Sequence, residues 1–349
     1  MQGFGNPQAN LSCSTSTEGP NFKPPIIDRR LFDITHGSEL PNGEAGLFER
    51  LAAEVERTDW TNQEIDLFNL ALEDMVRIHD GDRRGNHRSY VHMLRGAIRL
   101  ISEGDQYFGV RDRPDLVIAY LLHDSVEDFA ERWLTSEQRA TLDLTRYEDK
   151  LRAQQMAFRA IEQRYGKRLP DGYDSADNEA GYTSDPTFGT QVSRIVEWMT
   201  SKPYPENLSD GADAIEFQKR KWGQYETGVR QLYEEEDAYG AKLLKTIDII
   251  ENFVGGMRHH ESVEKRAIHA RKYIFLVETV TSYIASSHII PEARKEFQTI
   301  RLSRAFQDAR DVINSHVARC PDQAELFDIS SQVETARVMG RTAIDQIAS

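Results

Sequence analysis

A chain of 349 residues, 39% hydrophobic and 29% charged, is long enough to bury a sizeable core and is too apolar for a disordered protein. Its net charge of −14 repels phosphate backbones, so no nucleic-acid polymer is expected as a partner, although Arg83, Arg84 and Arg88 and the run Lys219-Arg220-Lys221 allow a local basic pocket. Two cysteines, Cys13 and Cys320, exclude a disulfide framework and a thiolate zinc site; no apolar run nears the ~18–20 residues that span a membrane, and Met1 to Asn10 lack a signal-peptide pattern, so a cytoplasmic, membrane-free protein is expected.

Residues 1–25 are rich in Gly, Asn, Ser, Thr and Pro and read as a disordered tail. Helical periodicity then takes over. Stretches 44–56 and 62–78 carry apolar residues three and four apart, as at Ile65, Phe68, Leu72 and Met75. Leu94, Ile98 and Ile101 share a face of a helix over 92–101. Pro114, a good first-turn residue, precedes a helix over 115–128. A long charged helix is predicted over 136–165 and a loop over 170–190. Further helices are predicted over 192–199, 214–233, 238–253, 263–286, 291–316 and 331–347. No run alternates as a strand does, and no internal repeat is present. The predicted class is all-α.

One stretch carries the chemistry. The apolar run Leu116-Val117-Ile118-Ala119-Tyr120-Leu121-Leu122 ends in His123-Asp124-Ser125-Val126-Glu127-Asp128. Charged groups that follow a buried segment need partners or a metal ion. On a helix His123 stacks with Glu127 and Asp124 with Asp128. Mixed nitrogen and oxygen donors suit manganese, iron or zinc rather than calcium. Two ligands hold an ion poorly, so more are sought elsewhere. Upstream stand His92 and, five residues before it, His87. Downstream, Lys245, Asp248 and Asn252 share the polar face of a helix whose stripe is Leu244, Ile247, Ile250 and Val254.

These residues resemble those of the HD-type metal phosphohydrolases, and more narrowly the (p)ppGpp hydrolase domain of the Rel/SpoT proteins. The His-Asp-x-x-Glu-Asp motif of that family is intact at His123 to Asp128. The stretch His79-Asp80-Gly81-Asp82-Arg83-Arg84 … Ser89-Tyr90-Val91-His92-Met93 is similar to its His-x-Gly-Gln-x-Arg … Tyr-Ile-x-His-Pro. Phe188-Gly189 through Thr200 is similar to its Phe-Gly-x-x-Val-x-x-Ile-Val-x-x-x-Thr, and Lys245 through Asn252 to its Lys-x-x-Asp-x-x-x-Asn. The likeness runs in order over about residues 62 to 280.

The resemblance implies an HD-domain helical bundle over 40–280, with an insertion at about 129–187 and a helical extension over 281–349. It implies His92, His123, Asp124 and Asp248 as ligands of a divalent metal, normally manganese. Glu127 and Asp128 would position and deprotonate the attacking water, and Arg84 (or Arg83) and Asn252 would face a guanosine nucleotide. The implied reaction releases pyrophosphate from the 3′ position. The sequence departs from the family at Met93, at Asp82 and at Ile249-Ile250-Glu251, where a basic residue and a His are lost. The stretch before His92 is also one residue shorter, which keeps His87 in contention. Hydrolysis of another nucleotide, such as a dNTP or a nucleoside monophosphate, therefore stays open, as does a catalytically silent nucleotide-binding protein. His79-Asp80 is a second His-Asp pair that the resemblance does not place on the metal.

Overall fold

Apolar spacing becomes helix along most of the chain. The computed structural model describes residues 44–84, 87–102, 113–166, 188–204, 214–259, 262–287, 290 and 292–330. The predicted tail over 1–25 and the predicted helix over 331–347 lie outside these residues. The helices are α1 (Glu44–Val55), α2 (Asn62–Ile78), α3 (Val91–Ser102), α4 (Pro114–Leu122), α5 (Asp124–Glu127), α6 (Ser136–Ala140), α7 (Tyr147–Tyr165), α8 (Phe188–Met199), α9 (Ala214–Glu234), α10 (Tyr239–His259), α11 (Val263–Ile274), α12 (Val277–Ser286) and α13 (Glu292–Arg319). Between α2 and α3 a two-residue antiparallel ladder pairs Arg83 with Arg88 and Arg84 with His87. The protein is all-α, as expected.

Helix α4 is the axis of the fold. All nine of its residues are buried, the pattern of a helix apolar on every side. It packs against α2, α3, α8 and α10. Pro114 starts it, and Arg113 grips the buried Asp115 through two bonds of 2.9 and 2.8 Å. The surrounding core runs without a break from Phe48 to Ile329. Helix α7, from the stretch read as an insertion, buries Ala153, Ala157, Ile161 and Tyr165 and packs on α8. At its end Tyr165 and Arg164 both bond Asp74 of α2, at 2.8 and 2.5 Å. Helix α13 packs on α10, α11 and α12, so the residues after 280 share the same core.

The structure divides three helices that periodicity predicts as continuous. The helix expected over 115–128 changes at His123, where side chains take carbonyls from the ladder: His123 Nδ1 bonds Tyr120 O at 2.7 Å and Ser125 Oγ bonds Leu122 O at 2.6 Å. The helix expected over 136–165 is interrupted at 141–146, where Asp143 Oδ1 accepts from both the Thr145 N–H and its hydroxyl, an Asx-type turn. The helix expected over 263–286 breaks at Phe275 and Leu276, because Arg230 of α9 takes the Phe275 carbonyl at 3.1 Å. Conversely, α8 starts at Phe188, within the predicted loop.

That early start has a steric requirement. A Cβ on Gly189 would sit 2.2 Å from the Glu162 carbonyl oxygen and 2.5 Å from the Gly166 nitrogen. Both are backbone atoms at the end of α7 and cannot rotate away. Gly189→Ala should therefore destabilise the protein by about 1–3 kcal/mol or more through overpacking, read as a fall in Tm. Gly46→Ala, which meets nothing within 4 Å, is the control and should leave Tm unchanged or slightly raised. Equal melting temperatures for both variants would contradict this account of the α7–α8 contact.

Candidate metal centre

Three parts of the chain meet beside α4. The first turn of α3 supplies His92, the α4–α5 junction supplies His123 and Asp124, and the middle of α10 supplies Asp248. Ligand atoms of His92, His123 and Asp248 all lie within 4.8 Å of one another. Asp124 reaches both rings, with one oxygen 3.1 Å from His92 Nε2 and the other 3.1 Å from His123 Nε2. Asp248 Oδ1 stands 3.3 Å from His123 Nε2. The two imidazoles meet edge to face at 5.5 Å. Of the two upstream histidines, His92 is the one brought into this group; the side chains of His87, Arg83 and Arg84 lie outside the described set.

The hydrogen bonds decide which ring nitrogen faces inward. His92 Nδ1 lies 2.6 Å from Ser89 O, and His123 Nδ1 lies 2.7 Å from Tyr120 O. A carbonyl oxygen only accepts, so each Nδ1 carries the proton. In the neutral ring Nε2 then presents its lone pair, the form that binds metals. Both Nε2 atoms are buried and face carboxylate oxygens at 3.1–3.3 Å. The group of His92, His123 and Asp248 could hold a metal ion, with Asp124 beside both imidazoles.

The electrostatics point the same way. Burial works against charge on His123, yet the carboxylates of Asp124 and Asp248 outweigh it and raise its pKa from 6.5 to about 10. The field that favours a proton at Nε2 favours a cation there. Burial by itself would raise the pKa of Asp248, but Lys245 and His123 hold it well below the usual carboxylate range. Lys245 is buried and its Nζ lies 3.2 Å from Asp248 Oδ2.

Glu127 and Asp128 sit at the end of α5. Glu127 Oε2 accepts the Ser201 N–H at 3.2 Å, which ties it to the segment after α8. Asp128 is exposed at the helix end, with its N–H on Asp124 O. The Asn252 side-chain amide donates to Asp248 Oδ1 at 2.5 Å, and the Asn252 backbone carbonyl accepts from His269 Nε2 at 2.6 Å. In this structure Asn252 orients a candidate ligand.

Some contributors escape motif reading. His79, from the second His-Asp pair, is buried against Phe129 and bonds the Ser89 hydroxyl at 3.2 Å. It thus braces the turn whose carbonyl orients His92. Its spacing from Ser89 carries no sequence signal; the turn at Gly81, with φ of +80°, and the ladder that pairs Arg83 with Arg88 bring the two together. The Tyr225 ring meets both Lys245, the partner of Asp248, and Lys272, with their Nζ atoms 5.5 and 4.3 Å from its centre. Burial raises the pKa of the Tyr204 hydroxyl; Lys272 opposes that shift, and Glu127 and Asp128 add to it.

Comparison with protein-family models, with curated proteins and with solved structures returns no match for this chain. Among the described residues no helix is long and apolar enough to cross a membrane.

Proposed function

We propose that this chain is a metal-dependent nucleotide phosphohydrolase, and specifically a guanosine polyphosphate 3′-pyrophosphohydrolase. The observation that carries the reading is the convergence of two buried Nε2 atoms with the carboxylates of Asp124 and Asp248. A divalent ion, best manganese, held by His92, His123, Asp124 and Asp248 would supply Lewis acidity toward a phosphoryl oxygen and toward water. Glu127, fixed by the Ser201 N–H, takes the proton of the attacking water as a general base. Asp128 at the exposed end of α5 passes that proton toward solvent. Lys245 keeps Asp248 ionised, and Asn252 holds its other oxygen. The water oxygen bonds to phosphorus, the bond to the 3′ oxygen breaks, and that oxygen takes a proton from solvent in place of the one released through Asp128.

One observation supports a second reading, an HD-type hydrolase of another nucleotide. Where the family carries a basic residue and a His after the ligand Asp, Ile249 and Ile250 are buried here and Glu251 pairs with Arg99 of α3. That helix face serves packing.

The test is incubation of the purified protein with Mn²⁺ and ppGpp, dGTP or GMP. Pyrophosphate from ppGpp alone is the expected result. Turnover of dGTP or GMP instead transfers the assignment to the second reading. Metal bound without turnover of any nucleotide overturns both and indicates a silent binding protein.

A further inference from the structure

Lys272 has no part in the chemistry above. It lies on α11, with Nζ 4.3 Å from the centre of the Tyr225 ring and 5.2 Å from that of Tyr273. Among the described residues its ammonium contacts rings and forms no ion pair. Such contacts hold a cation without neutralising it. Burial works against this charge, while Tyr273, Glu127 and Asp248 favour it. Lys245 Nζ lies 5.5 Å from the same Tyr225 ring but is bound to Asp248. One tyrosine thus carries two ammonium groups, of which one is committed to a carboxylate.

Next to this ring is a cavity of about 570 Å³, walled by Trp198, Lys202, Tyr204, Tyr225 and Lys245. Its volume falls in the range of small-molecule sites, and its aromatic walls with a few charged groups have their usual composition. Its boundary is shared with the metal centre. Ser201, on the cavity wall, donates to Glu127, and Lys245, on the same wall, donates to Asp248. An unneutralised ammonium near a centre that attracts a dication is repulsive by itself. It becomes favourable when an anion lies between the two.

We propose that Lys272 binds a phosphate of the substrate other than the one presented to His92, His123, Asp124 and Asp248, while the base of the same nucleotide stacks in the Tyr204–Tyr225 cavity. The substrate class is therefore a nucleotide with at least two phosphates, one at each positive pole. This inference rests on the phosphohydrolase reading for the role of the centre, but its test is binding.

The experiment is calorimetric titration of the Mn²⁺-loaded full chain with guanosine 5′-diphosphate. Removing a charge-assisted bond in Lys272→Met should weaken binding by about 10- to 100-fold, and Lys272→Arg should restore most of it. Loss of stacking in Tyr204→Ala should weaken it by about tenfold. Metal content and Tm of Lys272→Met should match the parent, and Lys272→Gln serves if the Met variant does not fold. For any nucleotide turned over, Lys272→Met should raise KM with little change in kcat. Undiminished GDP binding by Lys272→Met overturns the inference, while turnover by the parent would still support the phosphohydrolase reading. Lys272-dependent binding without turnover of any nucleotide keeps the inference and overturns that reading. A parent protein that binds no GDP overturns the inference whatever its turnover.

Discussion

Asp124→Asn is expected to lose metal and turnover together. Asp124 offers an oxygen 3.1 Å from each of the two inward imidazole nitrogens, so it is the group common to both halves of the centre. An amide keeps the shape of the side chain but removes the negative charge and replaces one acceptor with a donor. Loss of even a supporting group around a metal costs about 10- to 100-fold in affinity, so loss of a ligand should exceed about 100-fold. The rate should fall to background with the metal. The checks are metal content by elemental analysis, phosphate-ester turnover in Mn²⁺, and circular dichroism to show that helix content persists. Full metal content with parental turnover would remove Asp124 from the site.

Glu127→Gln should separate what Asp124→Asn loses at once. The Gln carbonyl still accepts the Ser201 N–H that now meets Glu127 Oε2 at 3.2 Å, so the side chain stays in place. It cannot accept a proton. General-base contributions are typically about 10²- to 10⁴-fold, and kcat should drop by that amount while bound metal is unchanged. Loss of metal in this variant would make Glu127 a ligand instead of a base. An unchanged rate would pass the proton-accepting role to Asp128.

The class of the fold was readable because helical periodicity is a local property. Ile65, Phe68, Leu72 and Met75 share a face in any helix, and all four are buried here. Leu116 to Leu122 could not be solvated, and the helix they form became the axis of the bundle. The breaks were not readable. Periodicity runs through residues 275 and 276, and the interruption comes from a guanidinium on another helix, Arg230. The same holds for the start of α8, which depends on Gly189 meeting the backbone of α7.

For the centre, the order and type of the donors were legible: His123-Asp124 at the end of a buried run, with His92 and Asp248 on polar positions of other helices. The sequence by itself determined an all-α chain and a compact set of nitrogen and oxygen donors. Tertiary structure alone decided that these donors converge and that each imidazole turns Nε2 inward. It also decided that Asn252 serves Asp248, that His79 braces the Ser89 turn, and that Tyr225, against which Lys272 packs, borders a cavity. The physical reason is range. Helical periodicity acts over a few residues along the chain, whereas a donor's partner is whatever group packing brings within about 3 Å, here from as far as 125 residues away between His123 and Asp248.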